Sequence, residues 1–147
     1  MWARLTKAAP ILLGLFVLAV PPTAAVSNEW PKIAIGGYDP VAYFTNGRAT
    51  HGNQEYVHVW HDAMYLFATP SHREAFIKDP ARYAPQFDGF CVFGMTAGQK
   101  LEADPEAWAI VNGKLYVTFD KAMQAKLLAD PQSVIASAEA RWATLSH

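Results

Sequence analysis

Four Asp-Pro dipeptides punctuate this chain, at Asp39-Pro40, Asp79-Pro80, Asp104-Pro105 and Asp130-Pro131. Aspartate accepts backbone N–H groups at a helix start, and the fixed φ of proline suits the first helical position. Each pair therefore predicts the opening of a short helix or turn. No Ser/Gly-rich linker divides the chain between them, and no sequence repeat is long enough to imply an array.

The segments between these marks alternate in type. QEYVHVW (Gln54–Trp60) and AMYLFA (Ala63–Ala68) are rich in β-formers and predict a hairpin turning at His61-Asp62. SHREAFIKD follows as a helix, with Ser71 expected as its cap and Glu74 completing a capping box. Phe76 and Tyr83 are placed to pack against the hairpin. AWAIV and KLYVTF flank Asn112-Gly113, a dipeptide that supplies the two positive-φ residues of a type I′ hairpin. From Asp120 to Leu145, Met123, Leu127, Leu128, Val134, Ile135, Ala138 and Trp142 recur at helical spacing, and Pro131 splits the run into two helices. The expected fold is α+β: a small single domain with two β-hairpins, short helices after Asp-Pro turns, and C-terminal helices.

The N-terminus reads as an address. MWARLTK carries Arg4 and Lys7, an apolar run extends from Ala8 to Val20, and PPTAA ends in small residues. This is the layout of a secretory signal peptide, residues 1–25, leaving a domain at 26–147. An uncleaved membrane anchor is the competing reading, against which the shortness of the apolar run counts. The expected location is periplasmic or secreted, with membrane contact only through the signal segment before cleavage. A formal net charge of −1 and the lack of long charge blocks give no electrostatic footprint for nucleic acid.

Export sharpens the question of the single cysteine, Cys91, in DGFCVFGM (Asp88–Met95). It has no partner within the chain, so stability rests on packing, and aromatics at 13% of residues imply an aromatic-rich core. The thiol has four available roles: intermolecular disulfide, reactive group, metal ligand or inert buried residue. Its neighbours Phe90, Val92 and Phe93 are apolar, which does not favour a reactive thiolate.

Histidines stand at 51, 58, 61, 72 and 147. His58 shares a strand face with Tyr56 and Trp60, and His61 belongs to the turn. A helix folded back on its hairpin brings His72 toward His58, a geometry suited to a transition metal. No HExxH, CxxC, GxSxG or phosphate loop is present. Asp39 and Asp104 are accounted for as caps, and no residue set argues for catalysis.

Taken in order, GGYDPVAYFTNG (Gly36–Gly47), WHDAMYLFATPSHREAFIKDPARYAP (Trp60–Pro85), FDGFCVFGM and DPEAWAIVNGKLYVTF resemble the exported proteins that contain a YHS domain. That module is associated with metal handling, and its short form carries cysteines in an Asp-Pro-Val-Cys-Gly-Met element and in a Tyr-x-Phe-Cys-Ser-x-x-Cys element. The resemblance places Ala42 and Ala68 where two cysteines are expected, His72 where a third is, and His58 where some modules carry a histidine. With two thiolates lost to alanine, soft donors must come from Cys91 and Met95. The resemblance thus implies a non-enzymatic binding module with a candidate metal set of His58, His72, Cys91 and Met95, taking copper or zinc. Two alternatives stand beside it. One is a small-molecule or protein-interaction domain with a pocket lined by Tyr38, Tyr43, Phe44, Trp60 and Trp108. The other is a thiol-dependent redox enzyme using Cys91.

Overall fold

A computed structural model describes residues 30–145. The predicted signal segment lies outside the described residues, as does His147. The architecture is α+β, with a three-stranded sheet in the order β1-β3-β2 and a two-stranded sheet β4-β5. The strands are β1 (Lys32–Ile33), β2 (Asn53–Trp60), β3 (Ala63–Phe67), β4 (Asp104–Val111) and β5 (Lys114–Thr118). The helices are α1 (Pro40–Thr45), α2 (Pro70–Lys78), α3 (Pro80–Tyr83), α4 (Val92–Thr96), α5 (Lys121–Ala129) and α6 (Pro131–Leu145). Among the described residues no helix is long and apolar enough to cross a membrane.

Both expected hairpins form. His61 and Asp62 turn the first with φ of 46° and 59°, and Asn112 and Gly113 turn the second with φ of 51° and 73°. Pro131 separates α5 from α6 as its missing N–H requires. Two expectations are corrected. The cap of α2 is Thr69, whose side chain accepts from the His72 N–H, so the helix opens at Pro70 and Ser71 lies inside it. Asp104-Pro105 opens a strand, not a helix: the Asp104 side chain accepts the Glu106 N–H, and a register shift separates Asp104 from Trp108.

The backbone also repeats itself. The register shift between Asn53 and Val57 in the first hairpin recurs between Asp104 and Trp108 in the second, 51 residues later. Turns, caps and helices keep that offset: His61-Asp62 answers to Asn112-Gly113, Thr69 to Asp120, α2 to α5, and Asp79 (φ −149°, ψ 75°) to Asp130 (φ −145°, ψ 70°). Upstream, a tight turn precedes each unit's first helix. Gly36 and Gly37 (φ 57° and 83°) lie between Ile35 O and the Tyr38 N–H, and Asp88 and Gly89 (φ 53° and 78°) lie between Phe87 O and the Phe90 N–H. Both are type I′ turns. Even the parallel contact of Ile33 with Met64 recurs, as Pro85 with Leu115. Over the described residues the backbone is a tandem structural repeat, one unit ending at Asp79 and the other at Asp130.

Each repeat centres on its own apolar cluster. The first gathers Val41, Tyr43, Tyr65, Phe67 and Phe76, and the second Phe87, Val92, Met95, Tyr116, Leu127 and Ala138. Strand β5 serves both, since alternate side chains leave opposite faces of a strand. Leu115 and Val117 belong to the first cluster and Tyr116 to the second. Helix α6 lies on α4 and closes the second cluster with Val134, Ile135 and Trp142.

Candidate functional site

The polar centre of the molecule is Asp39. Its side chain is fully buried, and both of its carboxylate oxygens have hydrogen-bond partners. Oδ1 accepts the Val41 and Ala42 N–H groups at 2.8 and 3.3 Å, the capping role expected of it. Oδ2 faces the other way, accepting the Ala68 N–H at 2.8 Å and lying 2.6 Å from His72 Nδ1. A carboxylate only accepts, so Nδ1 carries the imidazole proton. The backbone N–H of Asp39 donates to Thr50 O at 2.8 Å, which fixes the turn before α1.

Local sequence explains how the pair is assembled. Proline at the first position of both α1 and α2 sets the helix starts, and Thr69 anchors the His72 N–H at 3.2 Å. The His72 ring is thereby held against Asp39 with 16% of its side chain exposed. Its second nitrogen, Nε2, lies 3.3 Å from Thr45 Oγ1. Thr45 in turn reaches Val41 O at 3.1 Å. In the neutral imidazole the lone pair then sits at Nε2, the atom directed toward the exposed Thr45. Such a nitrogen can ligate a metal ion or take a proton.

The other expected site residues lie elsewhere. His58 is on β2, with its ring edge-on to Phe76 at 6.2 Å between centroids. Helix packing sends His72 to Asp39 rather than to His58. Cys91 and Met95 bracket the start of α4, where the Met95 N–H donates to Cys91 O at 3.1 Å and the Cys91 N–H to Leu101 O at 2.8 Å. Both are sealed, at 1% and 0% exposure. Among the described residues no three His, Cys, Asp or Glu side chains are grouped to hold a metal ion, so His58, His72 and Cys91 do not converge.

The five aromatics expected to line a pocket are spread through the first core. Tyr43 is buried, meets Trp108 edge-on at 5.1 Å and donates its hydroxyl to Pro105 O at 2.9 Å. Burial drives its ionisation well above the ordinary tyrosine range. Phe44 packs edge-on to Tyr83, Trp60 stacks on His61, and Tyr38 lies against His51. Comparison with protein-family models, with curated proteins and with solved structures finds no match to this chain.

Proposed function

We propose that this chain is an exported binding module of the YHS type that offers a transition metal one prepared ligand, His72 Nε2. The observation that carries the reading is the Asp39–His72 pair at 2.6 Å, which in the neutral imidazole puts the proton on Nδ1 and the lone pair on Nε2. Metal-ligating histidines characteristically donate their other ring N–H to a carboxylate or carbonyl, which sets the tautomer and strengthens the donor nitrogen. The three positions where the resemblance expects thiolates, Ala42, Ala68 and His72, all bond to the same carboxylate.

Burial of Cys91 and Met95 changes the expected metal. With the sulfur atoms sealed away from His72, the donors at hand are one imidazole, one hydroxyl and water. Such a set suits zinc(II) or copper(II) rather than copper(I). It fits an open, exchangeable site and not a closed structural one, which would need four protein ligands.

Copper(II) titration of the purified protein near neutral pH, followed by calorimetry and electron paramagnetic resonance, tests the reading. Saturable binding with a nitrogen signature is expected, lost in His72→Ala and weakened about 10–100-fold in Asp39→Asn. Circular dichroism of both variants separates lost binding from lost structure. No saturable binding, or binding unchanged in a folded His72→Ala, defeats it.

A further inference from the structure

A cleft of about 180 Å³ shares no residue with the Asp39–His72–Thr45 constellation. It forms where the type I′ turns of the two repeats meet the turn of the first hairpin. The Lys32–Glu102 ion pair, 2.6 Å long, stands at its rim. At roughly 30 Å³ per water, the space equals about six waters, or a ligand of similarly few heavy atoms.

Tyr65 identifies the cleft as more than a surface dent. The residue is 3% exposed and lines the cleft. No buried side-chain oxygen or nitrogen among the described residues lacks a partner. Among the described residues the Tyr65 hydroxyl makes no hydrogen bond, so it is not sealed off, and the residue lines the cleft. Burial, and then the charge of Asp88, push its ionisation up to about 12. It therefore stays protonated and can donate to a ligand acceptor.

The walls specify charge. Asp62, Asp88 and Glu102 line the cleft with Lys32, and one further ammonium, Lys100 Nζ, lies 5.9 Å from the centre of the Phe90 ring. The seat of a cation is already marked within the molecule: Lys32 Nζ lies 4.7 Å from the centre of the Phe90 ring while paired with Glu102. An aromatic face beside a carboxylate is the environment that holds ammonium groups. Among the described residues, four of the six non-glycine positions with positive φ, Ile35, His61, Asp62 and Asp88, line this one cleft. For the β-branched Ile35 that conformation is strained, and such strain collects at ligand sites.

We propose that this cleft binds a small organic cation, an amine or quaternary ammonium carrying one hydrogen-bond acceptor. The cation sits against Phe90 and the carboxylates, displacing Lys32, and its acceptor atom takes a hydrogen bond from the Tyr65 hydroxyl. The test uses choline and its uncharged isostere 3,3-dimethylbutan-1-ol, each titrated into the isotopically labelled protein and followed by amide NMR shifts. Choline is expected to give saturable shifts at Ile35, Asp62, Asp88 and Phe90, with the alcohol at least tenfold weaker. Asp88→Asn and Tyr65→Phe each weaken choline about fivefold, the scale of a partly exposed charge and of one hydrogen bond. Lys32→Ala tightens it, because the internal competitor is gone. Silence toward choline, an equal response to the alcohol, or weaker binding in Lys32→Ala overturns the proposal.

Discussion

Asp39 and Cys91 hold equivalent places in the two repeats. Each follows a type I′ turn, each precedes a short helix, and each gives its backbone N–H to a carbonyl beyond that helix, Thr50 or Leu101, at 2.8 Å. Yet the first position carries a charge tied by four hydrogen bonds, and the second a thiol among Phe87, Val92 and Met95. The continuation of the chain accounts for the difference. After Asp130 comes α6, fifteen residues long, which covers α4 with apolar side chains. After Asp79 comes only α3, four residues long, so α1 is secured to α2 through the Asp39–His72 pair instead. One backbone plan accepts a polar clamp or an apolar lid, and the polar version is the one left with an imidazole nitrogen near the surface.

The sharpest way to break this comparison is to remove both residues. Asp39→Ala strands the His72 ring and three N–H groups, and should cost about 3–5 kcal/mol. Cys91→Ala removes one buried sulfur and should cost roughly 1 kcal/mol. Urea denaturation midpoints at constant slope measure both, and similar losses would show that the two positions bear equal weight.

A second contrast concerns the equivalent tyrosines Tyr65 and Tyr116. Both ionise above the ordinary range because of burial, with Tyr65 raised to about 12. A raised folded-state value means that the fold holds the proton more tightly than the unfolded chain does. The associated stability is whole below pH 10 and is lost as pH rises through about 12. A shift of two units corresponds to about 2–3 kcal/mol. Tyr65→Phe should therefore remove more of the alkaline loss of stability than Tyr116→Phe, as read from urea unfolding on either side of this window. An equal effect of the two variants would place the strain in the folds' common plan rather than in the cleft.

The smallest expected effect is at the hairpin turns. Asp62 adopts φ 59° where its counterpart Gly113 adopts 73°. Asp62→Gly should raise stability by about 0.5–1 kcal/mol, and Gly113→Asp should lower it by a similar amount, because the left-handed region penalises a Cβ. Thermal unfolding of the two variants checks the pair of signs.

The hairpins and the Pro131 break were legible because turn chemistry is local. The structural repeat was not, because equivalent positions keep their burial and seldom their side chains. Tyr65 matches Tyr116 and Asp79-Pro80 matches Asp130-Pro131, but Asp39 meets Cys91, His72 meets Met123 and Phe67 meets Thr118. The recurring Asp-Pro pairs at 79 and 130 were the visible trace. His72 was legible as a candidate, whereas its partner was hidden by an explanation that was true and incomplete. Capping occupies only Oδ1 of Asp39, and the second oxygen of a carboxylate needs its own partners. The Cys91 environment was readable from Phe90, Val92 and Phe93, but its separation from His72 depends on which core each repeat builds.

Strand β5 turns this structural repeat into something other than two domains. Leu115 and Val117 complete a core made mostly by residues far earlier in the chain, while Tyr116 completes the one beside it. A chain severed between Tyr83 and Ala84 would leave its first fragment without one wall. The second piece keeps every member of its own cluster, so the dependence runs one way: the first interior closes only when the second half supplies Leu115 and Val117.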